Sequence, residues 1–156
     1  MARKEKEFLT IIKKSFNEQG AWAIKIPDTP PAAGLRFTVK KELDMIVNIN
    51  GVHVAIEGKY QNGMKAFSKK ALADHQIESL DKQIANNGYA YVFLNVRQPA
   101  IKGKQKRMNR CYVFMWEWLK HHFEHNKSVS KAKLEEFEYI EKKNGRFDLT
   151  SIIKQF

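Results

Sequence analysis

The sequence predicts an α/β fold, a mixed β-sheet flanked by helices on both faces. Three observations predict it. The stretch Glu42 to Lys59, ELDMIVNINGVHVAIEGK, reads as a β-hairpin around Asn50-Gly51, because a type I′ turn needs two residues that tolerate positive φ. An amphipathic helical pattern then leads to YAYVFLNV, Tyr89 to Val96, a run apolar enough to be a strand buried on both sides. A further helical pattern precedes the hairpin, so the order α-β-β-β-α-β requires at least one crossover connection and a sheet covered on both faces.

The elements follow in order. Glu5 to Gln19 is helical, with Phe8, Ile11, Ile12, Ser15 and Phe16 on one face and Gly20 as its stop. Ala21 to Ile26 is a short strand, closed by a turn segment in which Pro27, Pro30 and Pro31 forbid regular structure. The hairpin supplies two more strands. Ser68 is placed as the N-cap of a helix running to Asn86, with Leu72, Ala73, Ile77, Leu80 and Ile84 on its apolar side and Asn87-Gly88 at its end. Arg97 to Arg110 reads as a basic loop, Cys111 to Phe114 as a strand, and MWEWLKHHF as a helix. Lys131 to Glu141 and Leu149 to Phe156 are expected to be the last helices. The whole chain, 1–156, is expected to be one domain, with a core at about 5–115 and a C-terminal helical extension at about 116–156.

A two-residue turn fixes the hairpin register. Ile49 faces Val52, Asn48 faces His53, and continuing outward Asp44 falls opposite Glu57. Side chains alternate along a strand, so Glu42 and Lys59 project on the same side as the two acids. Met45, Val47, Ile49, Val52, Val54 and Ile56 form a wholly apolar opposite side. Like charges opposed across a ladder destabilise it, and Asp and Glu are poor strand residues. Carboxylates so placed converge on a hard divalent cation, and an ammonium beside them can orient water or stabilise charge on a phosphate. A solvated outer face is the competing explanation, and spacing alone does not choose between them.

Net charge is 28 − 17 = +11, with a pI near 9.7. That excess points to a polyanion, of which nucleic acid is the commonest. Cys111 is the lone cysteine, which excludes internal disulfides and zinc ribbons. With no membrane-length apolar run and no secretory pattern in MARKEKEF, the expectation is a cytoplasmic protein.

The spacing Asp44, Glu57, Lys59 across two hairpin strands, behind an N-terminal helix, resembles the core of the restriction-endonuclease-like, PD-(D/E)XK nucleases. FSKKALADHQIESLDKQIANNGYAYVFLNV further resembles RecU-type Holliday junction resolvases, with His75-Gln76 opening the helix and Gly88 before the next strand. The likeness covers about Glu5 to Val96. Leu43 stands where the motif's name has proline. Only Pro27 to Lys41 separates the first strand from Asp44, where RecU-type proteins carry a long insertion, so the resemblance is to a short, phage-type member.

The resemblance implies a dimeric, Mg²⁺-dependent endonuclease, with Mn²⁺ able to substitute, that nicks four-way DNA junctions symmetrically in a bacterial or phage-infected cell. Asp44 and Glu57 would hold the metal and Lys59 would position or activate water. Gln76 would face the site, and Glu7, with Glu5 next, would complete the metal shell. Glu42 is an extra acid beside Asp44. The segment Lys102, Lys104, Lys106, Arg107, Arg110 is the densest positive run and is expected to contact DNA phosphates. His75 is expected near the site or a phosphate and His53 in solvent. His121, His122 and His125 are assigned to a solvated or DNA-facing helix surface rather than to zinc. Two alternatives stand beside this reading. One is a restriction-like or repair endonuclease acting on linear, flapped or nicked DNA; the other is a non-catalytic DNA-binding accessory protein.

Overall fold

The computed structural model describes residues 2–28 and 41–156; the expected turn at Pro30 and Pro31 lies outside them. The chain begins with α1 (Arg3–Glu18), β1 (Trp22–Lys25), β2 (Met45–Ile49), β3 (Val52–Asn62), β4 (Phe67–Ser68) and a 3₁₀ turn at Lys69–Ala71. It continues through α2 (Asp74–Ala85), β5 (Tyr89–Gln98), β6 (Met108–Met115) and α3 (Trp116–His125). The last elements are β7 (Ser128–Val129), α4 (Lys131–Glu136), β8 (Ile140–Glu141) and α5 (Thr150–Ile153). Six strands form one sheet in the order β1-β2-β3-β5-β6-β8, and β4 pairs separately with β7. Among the described residues only β3 and β5 run parallel, joined by α2 as the crossover. The mixed sheet with helices on both faces is therefore as expected.

The hairpin turn is of type I′ character. Asn50 has φ 51 and Gly51 has φ 83, and Asn48 Oδ1 accepts the Gly51 amide at 2.9 Å. The register follows from it: Ile49 pairs with Val52, Asn48 with His53 and Met45 with Ile56. Met45, Val47, Ile49, Val54 and Ile56 pack against Phe8, Leu9, Ile12 and Phe16 of α1, with Phe147 and Leu149 completing that core. The opposite face is a second core, in which Leu94, Val92 and Ala55 meet Leu80 of α2, Leu119 and Phe123 of α3, and Phe67. Burying two such layers is what makes β3 and β5 central strands.

Several boundaries differ from the sequence reading. Ser68 caps the 3₁₀ turn, accepting the Lys70 amide at 3.2 Å; α2 starts only at Asp74. The expected basic loop is shorter than Arg97 to Arg110, covering only residues 99–107, since β5 runs to Gln98 and β6 begins at Met108. The helix expected over Lys131 to Glu141 stops at Glu136, and Ile140 and Glu141 pair instead with Cys111 and Arg110 at the edge of the sheet. Sheet pairing satisfies backbone groups there that a polar helical end would leave to water. No helix among the described residues is long and apolar enough to cross a membrane.

One glycine sets the distance between α1 and the sheet. A Cβ on Gly58 would lie 2.6 Å from Leu9 Cδ2, and Leu9 is fully buried. Gly58→Ala is expected to destabilise the protein by about 1–3 kcal/mol, the usual range for overpacking a filled core. Urea unfolding checks this; an unchanged midpoint would mean that α1 moves aside without cost.

Candidate active site

The last β2–β3 pair is Met45 with Ile56; one step further the register leads towards Asp44 and Glu57, at the end of the sheet where the chain enters β2 in a bend. Each is only 1% exposed. They do not lie on a solvated outer face; Gln76 of α2 and Lys41 cover them. Buried carboxylates need partners, and the chain supplies them from four directions.

Asp44 Oδ2 accepts the Gly58 amide at 2.9 Å. Its carbonyl accepts the Ile26 amide at 2.8 Å, which ties the bend to the chain leaving β1. Oδ1 has Lys41 Nζ at 2.9 Å, but off the direction a hydrogen bond needs, so this buried oxygen has an ion pair and no hydrogen bond. Glu57 Oε1 accepts Gln76 Nε2 at 2.6 Å and lies 3.5 Å from Lys59 Nζ.

Gln76 holds the site together. Its Oε1 accepts from Lys59 Nζ at 3.0 Å and from the Ala73 amide at 2.9 Å. It is the third residue of α2, so reaching back to Ala73 makes one half of a capping box, while Ala73 has no side-chain acceptor for the other half. The network also fixes the amide's orientation. Reversed, its NH₂ would face an ammonium and an N–H, and its carbonyl a carboxylate.

The third acid is Glu5. It is half-buried, and burial raises its pKa most; the Lys59 charge opposes this, Asp44 adds to it, and the Tyr60 backbone donates a hydrogen bond. Glu5 therefore shares the electrostatic environment of Asp44 and Lys59. Glu7, the residue first expected in that role, does not. Arg3 Nε donates to it at 3.0 Å and Arg97 at 3.3 Å, and those bonds lower its pKa. Helix phase carries the signal: Glu5 lies three, four and seven residues before the buried Phe8, Leu9 and Ile12, whereas Glu7 lies off that stripe.

Glu42 is exposed because the chain bends between Lys41 and Asp44, so strand alternation does not reach it. His53 is exposed as expected. His75 is half-buried, its carbonyl accepting Ser79 Oγ at 2.9 Å. Lys102, Lys104, Lys106 and Arg107 are exposed on the β5–β6 connection. Arg110 is drawn into the sheet, 3.5 Å from Glu141 and 3.8 Å above the Tyr139 ring. A groove of about 730 Å³ beside α1 is lined by Arg3, Lys6, Glu7, Arg97 and Lys142 among others; Asp44, Glu57 and Glu5 do not line it. His121, Glu124 and His125 bring three potential ligand atoms within 4.8 Å on the exposed face of α3.

The donor set tests whether a metal fits. Asp44, Glu57 and Glu5 offer only hard carboxylate oxygens, which suit Mg²⁺ or Mn²⁺ rather than a thiophilic ion. Asp44 Oδ1, buried and without a hydrogen bond, already faces positive charge, the Lys41 ammonium at 2.9 Å, so it is an oxygen for which a cation competes. The donor chemistry fits such an ion.

The fold and the site together define an α/β protein with a buried acid pair and an adjacent lysine at the end of its hairpin. No protein-family model and no curated protein matches the chain. Among solved structures it is similar to Hjc of Archaeoglobus fulgidus, described as a Holliday junction resolvase from an archaeal hyperthermophile. The identity is 16%, over 73% of this chain and 74% of that one, with a TM-score of 0.45.

Burial raises the Glu57 pKa far above its ordinary 4.5, and the Asp44 charge and hydrogen bonding push it further, against a smaller opposing effect of Lys59. The folded, metal-free protein therefore holds this proton more tightly than the unfolded chain. The stability it contributes is complete below the ordinary value and is lost as pH rises towards the folded value. With chelator present, the melting temperature of the wild type should fall relative to that of Glu57→Gln between about pH 5 and about pH 8. Parallel curves in a thermal-shift series would show that Glu57 ionises normally.

Proposed function

We propose that the chain is a metal-dependent endonuclease that hydrolyses DNA phosphodiesters, cutting four-way junctions by paired symmetric nicks as a homodimer. The observation that carries the reading is the opposed, buried pair Asp44 and Glu57 with Lys59 clamped beside them by Gln76. A structural ion pair would not need two acids facing each other across a ladder. The resemblance of the Phe67 to Val96 segment to RecU-type resolvases favours junctions over linear DNA. Two nicks related by symmetry call for two sites, which a two-fold homodimer supplies.

Asp44, Glu57 and Glu5 would hold Mg²⁺, or Mn²⁺ in its place. The bound ion supplies Lewis-acid activation of water and neutralises charge on the phosphate. The protein groups do the rest. Lys59 has three donors; Gln76 engages one and Glu57 lies 3.5 Å away as an ion partner, so donors remain for the attacking water or a phosphate oxygen. Gln76 keeps that ammonium from swinging away, since its own amide is pinned to the Ala73 backbone. The Gly58 amide fixes the Asp44 carboxylate in rotation, leaving Oδ1 directed at the site. Lys102, Lys104, Lys106 and Arg107 extend the positive surface along which a duplex arm would lie.

The deciding experiment is a cleavage gel with a four-way junction and a linear duplex of equal sequence, with and without Mg²⁺. Wild type should nick the junction only with metal, and Asp44→Asn should bind it without cutting. Cutting of linear DNA at equal rate would favour the repair or restriction-like alternative. Binding without any nicking in Mg²⁺ or Mn²⁺ would make the protein an accessory factor. Separately, replacing Lys102, Lys104, Lys106 and Arg107 together by Ala should flatten the log–log salt dependence of junction affinity by up to about 3 units. An unchanged slope would place the DNA elsewhere.

A further inference from the structure

The ammonium of Lys41 sits where an incoming cation would approach Asp44. It lies 2.9 Å from Asp44 Oδ1 and 2.9 Å from Asp28 Oδ1, and its side chain is only 16% exposed. Asp28 is held in turn by Lys6 at 3.1 Å. Lys6, Asp28, Lys41 and Asp44 thus form an alternating row of charges, running from the α1 surface into the buried end of the hairpin.

We infer that Lys41 is a tethered counter-ion of the metal site, which neutralises Asp44 in the metal-free protein and must withdraw towards Asp28 when a divalent cation binds. This rests on the reading of Asp44 as a metal ligand. The physical basis is competition for one oxygen. Asp44 Oδ2 is already committed to the Gly58 amide, so Oδ1 is the atom left for a metal, and that is the atom Lys41 attends. An ammonium held there repels a divalent ion strongly in a poorly solvated site. Leaving Asp44 bare would instead strand a buried charge. The contact to Oδ1 lacks hydrogen-bond geometry, so Lys41 gives up an ion pair rather than a directed bond when it leaves. Asp28 is about half-exposed and already in contact, and so can keep Lys41 as it moves outward. Lys6 and Lys41 hold the Asp28 carboxyl down at about 2, so it stays ionised throughout.

Two substitutions then act in opposite directions on metal affinity. Lys41→Met removes the competitor, and Mn²⁺ binding by isothermal titration should tighten at least tenfold. Asp28→Asn removes the place to which Lys41 retreats, and Mn²⁺ binding should weaken. Lys41→Gln, polar but uncharged, should follow Lys41→Met and covers the case in which the methionine variant does not fold. In chelator, both Lys41 variants should melt below wild type, and Mn²⁺ should raise their melting temperatures more than it raises that of wild type. Asp44→Asn is the control that separates the two readings. If it binds Mn²⁺ like wild type, the metal site itself is misplaced. If it loses binding while the Lys41 variants bind Mn²⁺ no more tightly than wild type, the counter-ion role is overturned and the metal site stands.

Discussion

Two carboxylates facing each other across a β-hairpin, out of contact with water, are the constraint around which this molecule is arranged. Two like charges 4 Å apart at an effective dielectric of 20 repel by about 4 kcal/mol, before any cost of desolvation. A ladder position that carries such a pair persists only if neighbouring elements compensate it. The compensation here is distributed: a backbone amide of β3 and Lys41 for Asp44, then Gln76 of α2 and Lys59 for Glu57. In the metal-free state a retained proton on Glu57 removes one of the two charges, which is what its raised pKa expresses. A divalent cation would remove the repulsion altogether, and the same geometry would then be favourable.

The compensating groups come from elements that the fold needs for other reasons. β3 is one of the sheet's two central strands, paired with β2 on one side and β5 on the other. Its apolar half anchors the α1 core, and its far half carries Glu57 and Lys59 to the sheet's end. Gly58, between them, serves both layers: it lets Leu9 approach and gives its amide to Asp44. The close contact that seats α1 also fixes the helix that carries Glu5, whose carboxyl feels the charges of Lys59 and Asp44. Packing and site are therefore not separable at this point of the chain, and a change in the one moves the other.

The hairpin and its register were legible because each follows from local chemistry: Asn50-Gly51 sets the turn and the period of two does the rest. The crossover through α2 to a buried β5 was legible for a similar reason, since YAYVFLNV is long and unbroken. What escaped was decided by tertiary contact. Ser68 had the chemistry of a helix cap, yet β4 pairs with β7 there and the helix waits until Asp74. Glu136 to Glu141 had helical residues, yet the open edge of β6 recruited Ile140 and Glu141 as a strand. Arg110 belonged to a charge run in sequence, yet strand alternation turned it towards Tyr139 and Glu141. Lys41 lies in irregular chain, where no periodicity announces which way a side chain points.

Gln76 shows how a residue that looks misplaced on one element can be explained by another. Between Leu72 and Leu80 an amide breaks an apolar stripe, and it can either bond to backbone or face polar groups beyond the helix. The structure has both in one side chain, because the third position of a helix can reach the N-cap amide and still face outward along the helix axis. That double engagement has a mechanical consequence. The Lys59 ammonium is referred, through a single rigid amide, to the backbone at the start of α2 rather than to another mobile side chain. Its position relative to Glu57 is thus set by how α2 packs on β5 and β3. A lysine in water samples many rotamers and carries about 2 kcal/mol of side-chain entropy. Here much of that loss is met by folding itself, so a substrate arriving at the site would find the charge already in place.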